Sequence, residues 1–138
     1  MPAKKTSKEI IHTVGRRKTS VARSSMQTGK GVMRINGQDL EEVVKNPILQ
    51  LRVIEPLILT DMQSKINISI KLQGGGFNSQ VDALRQAIAR GLIEMLGEDT
   101  KKMFTNYDRT LVVADTRFKE TKKPNNSHAR AKRQKSYR

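Results

Sequence analysis

The clearest alternation of apolar and polar residues in this chain lies at positions 66–73. Its apolar members occupy every second position: Ile66, Ile68, Ile70 and Leu72. Residues two apart lie on the same side of a β-strand, so the pattern predicts a strand with one buried face and one polar face. The run Gly74-Gly75-Gly76 is expected to end this strand.

After the glycines, the spacing of apolar residues changes to three or four. The residues that recur at this spacing are Val81, Leu84, Ile88, Leu92 and Met95. This period predicts an amphipathic helix over residues 79–96, with its apolar stripe packed on the strand. Ser79 followed by Asp82 favours a capped start, and Gly97 favours a stop. Arg85 lies outside the stripe, and we expect the fold to tolerate its loss.

The N-terminal part predicts extended structure. Residues 10–14 begin to alternate, and residues 21–25 continue the same pattern. Gly29-Lys30-Gly31 then predicts a turn into a strand at 32–35, which the Asn36-Gly37 dipeptide closes. Together these segments predict a hairpin.

Shorter elements complete the predicted core. A short helix is expected at 39–44, and another from Pro47 to a break at Glu55-Pro56. A further short helix is expected at 98–104 and a strand at 111–113. Strand, helix and strand in this order predict a β-α-β unit, so the fold class is α/β (α+β) with a small mixed sheet.

The charge of the chain lies at its two ends. It has 27 Lys and Arg against 13 Asp and Glu, for a net charge of +14. Residues 1–30 carry eight basic residues and one Glu, and residues 117–138 carry nine and one. The stretch between them holds ten basic and eleven acidic residues. We therefore predict a basic N-terminal arm at 1–9, a compact body at 10–116 and an extended basic tail at 117–138. Such segments repel themselves and require a polyanion to order them, which favours a nucleic acid as the partner.

Other function classes find little support in the composition. No apolar run reaches the length of a membrane span, and no signal-peptide pattern follows Met1. The chain has no cysteine, and His12 and His128 are far apart, so we expect no metal site. We also expect no cofactor and no small-molecule substrate. Neither histidine lies in a nucleophile motif and the carboxylates are scattered, so we expect no enzymatic activity.

Two motifs are candidates for RNA contact. Arg16, Arg17 and Lys18 are consecutive cations at the edge of the nearly neutral core, where charge can follow a phosphate backbone. The Gly74–Gly76 run lacks the Gly-Lys-Ser/Thr ending of a nucleotide loop. Two readings of these glycines stay open, a tight turn and the close approach of an RNA backbone. With only five aromatic residues, the chain does not favour a base-stacking platform.

Motifs along nearly the whole chain resemble the universal ninth protein of the small ribosomal subunit. They are Gly15-Arg16-Arg17-Lys18-Thr19, Val21-Ala22-Arg23, Asn36-Gly37, Pro56-Leu57, Gly74-Gly75-Gly76, Ala89-Arg90, Asp108-Arg109, Asp115-Thr116-Arg117 and the tail from Arg130 to Arg138. The tail ending Gln134-Lys135-Ser136-Tyr137-Arg138 and the step Lys123-Pro124-Asn125 are similar to archaeal members, with eukaryotic members close behind.

The resemblance implies a left-handed β-α-β crossover and a place in the head of the small subunit, in cytoplasmic ribosomes. It implies contacts with ribosomal RNA, with neighbouring head proteins and with the anticodon stem-loop of peptidyl-site tRNA. The residues expected to bind ribosomal RNA are Arg16, Arg17, Lys18, Arg23, Gly74, Gly75, Gly76, Arg109, Arg117, Lys122, Lys123, Arg130, Lys132 and Arg133. Those expected to bind tRNA are Lys135, Ser136, Tyr137 and Arg138.

Two other classes compete with this reading. One is a basic DNA-architectural protein, against which the absence of an apolar wedge in either arm counts. The other is an RNA-processing enzyme, against which the absence of clustered His, Cys or carboxylate groups counts.

Overall fold

A mixed five-stranded sheet forms one layer of the protein. The computed structural model describes residues 10–132, 134, 136 and 137. The strands in this part are β1 (Ile11–Arg17), β2 (Ser20–Thr28), β3 (Met33–Ile35), β4 (Gln38–Asp39) and β5 (Ile66–Gln73). Their order across the sheet is β1-β2-β5-β3-β4, with β3 parallel to β5 and the other neighbours antiparallel. The predicted class, α/β with a small mixed sheet, is confirmed.

Four helices are found in the same part of the chain. They are α1 (Leu40–Val43), α2 (Pro47–Leu59), α3 (Phe77–Leu96) and α4 (Glu98–Tyr107), and a 3-10 turn follows at Arg109–Leu111. Helix α3 packs across β1 and β2, and α2 and α4 pack against α3. The helices therefore cover one face of the sheet, and mainly polar side chains occupy the other, with Val14 and Val21 among them.

The strand and the helix with the strongest periodicity are confirmed. The alternating apolar residues of β5 are buried, and so are Val81, Leu84, Ile88 and Leu92 of α3. Helix α3 begins two residues before the predicted start, with Gly76 as its N-cap. Ser79 is the third helical residue, and its hydroxyl accepts a hydrogen bond from Gly76 N at 3.1 Å. Ser79 therefore caps the first turn from the third helical position and not from the N-cap position.

The predicted hairpin is wrong, because the extended region from residue 10 to 25 is two strands. A turn at Lys18 and Thr19 separates β1 from β2, and Lys18 has a positive φ of 52°. Strand β2 then pairs with β5 along its length, from Val21 opposite Gln73 to Thr28 opposite Ile66. This register sets the buried alternate residues of β2 beside those of β5, which a pairing with the three-residue β3 does not achieve.

Two further element predictions are wrong. Helix α2 continues through Pro56 to Leu59, because Val53, Pro56 and Leu57 are buried together in the core. The segment predicted as a strand at 111–113 instead begins within a 3-10 turn, whose N-cap residue Asp108 accepts a hydrogen bond from Thr110 N at 2.8 Å. A single parallel bridge between Arg17 and Asp115 joins this region to the sheet. The predicted β-α-β unit of β5, α3 and a strand at 111–113 is therefore not formed. The parallel strands of the sheet are instead β3 and β5, joined through α1 and α2, and the handedness of the crossover stays a prediction.

The expectation that the fold tolerates the loss of Arg85 is wrong. Only 6% of the residue is exposed, and its guanidinium donates to Glu55 of α2 and to Asp108, each at 2.6 Å. Burial disfavours the charged form, but the hydrogen bonds to Asp108 and Glu55 raise the pKa of Arg85 above its ordinary value. Loss of Arg85 would leave two carboxylates together without their cation, so Arg85 is part of the fold.

Helix α3 approaches the β1–β2 hairpin closely enough to require glycine. A Cβ on Gly15 of β1 would lie 2.6 Å from Ala87 N and nearer still to Ala83 O. The hydroxyl of Thr13 donates to Ala87 O at 2.8 Å, so backbone and side chain both hold the helix. The packing of α3 therefore requires glycine at position 15, at the start of the Gly15-Arg16-Arg17 motif, independently of any contact with RNA.

We expect Gly15→Ala to lower the free energy of unfolding by about 3 kcal/mol, because the new methyl group meets helix backbone that cannot turn aside. Gly76→Ala is the matched control, since a Cβ there meets nothing within 4 Å. Denaturant unfolding of both variants measures the difference. Equal stability of the two variants would contradict the close approach of α3.

Candidate nucleic-acid interface

The three consecutive cations of the basic run face different surroundings. Arg16 is exposed, and its side chain has no ion pair in the described part of the chain. Arg17 turns to the helical side, where it contacts Asp82 of α3 at 3.4 Å and the carboxylate of Asp115. Lys18 is exposed in the β1–β2 turn. Alternation along β1 therefore directs Arg17 to contacts within the protein and Arg16 to solvent, and the turn exposes Lys18.

Asp115 fastens the start of the tail to the body. Its carboxylate accepts from Arg17, from Arg117 N at 2.9 Å and from Arg117 Nη2 at 2.6 Å. Arg52 of α2 contacts Asp82 at 3.2 Å and extends the same network. A cavity of about 120 Å³ lies among these groups, and Arg16 is at its rim. The tail thus begins beside the end of β1.

Hydrogen bonds set the charge state of the two carboxylates near this junction. The side-chain and backbone hydrogen bonds from Arg117 hold the pKa of the Asp115 carboxyl well below its ordinary value, and the charge of Arg17 acts in the same direction. For Asp108, burial raises the pKa, but hydrogen bonds from Thr110 and Arg85 outweigh it and lower the pKa overall. Both groups are therefore ionised in the folded protein at neutral pH.

The Gly74–Gly76 run forms a turn that only glycine fits at its first two positions. Gly74 and Gly75 have φ of 74° and 73°. A Cβ on Gly74 would lie 2.6 Å from Thr19 O, and one on Gly75 would meet the hydroxyl of Ser20. The tight-turn reading accounts for these two glycines. Space beside Gly76 is open, so a close approach of an RNA backbone stays a prediction there.

The remaining predicted RNA-binding residues that the structure describes are exposed. Arg23 lies on the open face of the sheet, within 3.5 Å of Gln73, and Arg109 is exposed on the 3-10 turn. In the tail, Arg130 pairs with Glu120, whereas Lys122, Lys123 and Lys132 have no ion pair within the described residues. Ser136 and Tyr137 are exposed, while Arg133, Lys135 and Arg138 lie outside the described residues. Their assignment to ribosomal RNA or tRNA stays a prediction.

Two cations on the open face were missed by the sequence reading. Lys71 of β5 and Arg34 of β3 are both exposed. Each is a single cation among neutral residues, so neither stands out as part of a basic run. The strict alternation in β5 does place Lys71 on the polar face, which was the available signal.

The described helices include none long and apolar enough to cross a membrane. Across residues 10–132, 134, 136 and 137, no three His, Asp or Glu side chains are grouped so that they could hold a metal ion.

Arg17→Gln is expected to destabilise the body by about 1.5 kcal/mol, because it removes charged hydrogen bonds to Asp115 and Asp82. Arg16→Gln makes the same chemical change one residue away and should leave the melting temperature unaltered. Thermal unfolding of the two variants provides the comparison. A larger loss for Arg16→Gln would show that the two side chains have exchanged roles.

The lowered pKa values of Asp108 and Asp115 predict a loss of stability in acid. A carboxyl with a folded pKa below its unfolded value stabilises the protein above about pH 4, and this contribution disappears as the pH falls further. The double variant Asp108→Asn, Asp115→Asn should therefore melt well below the wild type at pH 7, and the difference should narrow steadily as the pH falls below about 4. Asp61→Asn, at an exposed position, should show no such convergence. A constant difference across the pH range would rule out this linkage.

Comparison with known proteins agrees with the motifs. The chain matches the family described as ribosomal protein S9/S16 over residues 15–138. It is 43% identical over 132 residues to small ribosomal subunit protein uS9 of Thermoplasma volcanium, covering 94% of this chain and 99% of the relative. It is 42% identical over 134 residues to the uS9 protein of Methanococcus maripaludis, with the same coverage. The chain belongs to the ribosomal protein S9 family, in its archaeal form.

Proposed function

We propose that this protein is a structural constituent of the small ribosomal subunit whose body binds ribosomal RNA in the subunit head and whose tail contacts peptidyl-site tRNA. Membership of the family makes it a ribosomal protein of the cytoplasm and a structural protein, not an enzyme. Its partners are small-subunit ribosomal RNA, the neighbouring proteins of the head and the anticodon stem-loop of the bound tRNA.

The observation that carries this proposal is that the tail is fixed to the body at its base, whereas its described residues beyond the base form no helix or strand. Asp115 ties the base to β1 through Arg17, and the described residues from 118 to 132 contain no helix or strand. Most of these residues are exposed. A segment without helix or strand that is anchored at one end can pass between folded RNA elements where a globular domain cannot, and its cations can contact phosphates along the way.

The end of the tail supplies contacts of modest strength. Arg offers a planar fork of donors to a phosphate and Lys a point charge, so Lys135 and Arg138 would hold tRNA without reading its sequence. Tyr137 is 86% exposed, which leaves its ring available to a nucleotide. The tail would therefore support tRNA placement together with ribosomal RNA.

Deletion of residues 134–138 is expected to leave assembly intact and to weaken tRNA binding at the peptidyl site. The deletion removes Lys135, Arg138 and Tyr137 but retains seven of the nine basic residues of the tail. The loss should stay below about 1.5–3 kcal/mol for each charge-assisted contact, because ribosomal RNA holds the same tRNA. Filter binding of tRNA to subunits that carry the shortened protein measures it.

A control with the same loss of charge is Lys122→Gln, Lys123→Gln, which changes the tail far from its end. It should bind tRNA as the wild type does. Because phosphate contacts carry no base identity, the defect of the deletion should be similar for different tRNAs. Unaltered tRNA affinity across a salt titration would reject the role of the tail and retain only the structural role of the body.

A further inference from the structure

Four cations form a diagonal line across the open face of the sheet. Strand register sets Arg23 of β2 directly opposite Lys71 of β5. Arg16 is opposite Val21, two residues before Arg23, and Arg34 is opposite Ser69, two residues before Lys71. Each of the four neighbouring strands β1, β2, β5 and β3 therefore contributes one cation. Arg16 is diagonal to Arg23, and Arg34 is diagonal to Lys71. We call Arg16, Arg23, Lys71 and Arg34 the basic band.

The dimensions of the basic band follow from strand geometry. Strands lie about 4.8 Å apart and rise about 3.3 Å per residue, so three strand steps and four residues of stagger give a line roughly 20 Å long. Directly opposite side chains are about 5 Å apart and diagonal ones about 7–8 Å. The distances between neighbouring members of the band are thus short enough for Lys and Arg side chains to span.

The charges of the basic band are not satisfied within the described residues. No ion pair involves any of its four members, and Arg23 has only the 3.5 Å contact with Gln73. By contrast, Arg17, Arg52 and Arg85 on the helical side all pair with carboxylates. Asp39, opposite Arg34 at the edge of the sheet, is the one acidic residue of the described strands.

Like charges placed directly opposite each other destabilise a sheet. Arg23 and Lys71 are such a pair, so the isolated protein bears a cost that an external anion would remove. A row of fixed negative charges along a line would remove it for all four cations together. The geometry therefore favours a polyanion over a single anion.

Resting on the proposed function, we infer that the basic band is the surface on which the body holds the sugar-phosphate backbone of ribosomal RNA. The side chains between the cations include Ser25, Ser69 and Gln73, which are small or neutral donors and acceptors suited to phosphate and 2′-hydroxyl groups. No Phe, Tyr or Trp lies on any described strand, so the open face lacks the large aromatic rings of a base-stacking platform. The band thus fits the backbone of a helical RNA segment.

The test compares two triple variants of the full chain. Arg23→Gln, Arg34→Gln, Lys71→Gln removes three members of the basic band, and Lys45→Gln, Lys101→Gln, Lys102→Gln removes three exposed cations from the helical side. Binding to protein-free small-subunit ribosomal RNA is measured over a salt series. Each lost phosphate contact lowers the salt slope by roughly 0.7–0.9, so the band variant should lose about 2 to 3 and the control less than one. Thermal melting should show the band variant at least as stable as the wild type.

The outcomes separate this inference from the proposed function. Equal losses in the two variants would overturn the inference, because net charge alone would then explain RNA binding. If the wild type does not prefer ribosomal RNA to an unrelated RNA of equal length, the RNA-binding part of the proposed function fails as well. Displacement of the RNA by polyglutamate at equal charge concentration would also overturn the inference and would assign the band to an acidic protein segment.

Discussion

The contact between α3 and the β1–β2 hairpin determines most of the remaining structure. Gly15 brings the backbone of β1 against Ala83 and Ala87, and Gly91 leaves room for Met26 of β2. With the helix seated on this face, side-chain alternation sends Arg16 to the open face and leaves Arg17 beside Asp82. The same contact brings Arg90 within reach of Val14 O at 2.7 Å and Val112 O at 3.1 Å, so the chain after α4 returns to the edge of β1. One close approach therefore positions both the cations and the origin of the tail.

The carboxylates of the body act mainly on the helical side. Glu55, Asp82, Asp108 and Asp115 all engage arginines there, and they connect α2, α3, β1 and the segment before the tail. Pairs of this kind hold elements in register more than they add to stability, because desolvation offsets much of their attraction. Their second effect is on the distribution of charge. Since these acids neutralise cations on one side, the positive charge of the body is concentrated on the open face of the sheet and in the tail.

Local periodicity predicted β5, α3 and the mixed class of the sheet, because burial of one face is encoded residue by residue in each segment. The partner of β2 could not be read locally, since β3 and β5 both offer apolar alternation and only the longer strand matches β2. Pro56 remains helical because the core holds it, and Leu111 lies in a 3-10 turn that Asp108 caps. In the candidate site, Arg16 and Arg23 were found because they lie in a basic stretch. Arg34 and Lys71 are 37 residues apart in the chain and become neighbours only through the parallel register of β3 and β5.

The separation of paired from unpaired cations bears on how a small body can be both stable and strongly basic. A surplus of like charge opposes compaction, and the effect is greatest where the charges are close and unpaired. In this protein, the four cations of the basic band lie on a sheet face whose opposite side carries the tightly packed helix α3. Repulsion across Arg23 and Lys71 thus acts on strands that the core already fixes, and it costs stability without changing the register. The same repulsion is relieved when an anion binds, so the electrostatic strain of the free protein becomes part of the free energy of association. The arrangement couples assembly to charge neutralisation while leaving the fold to the apolar contacts of α3.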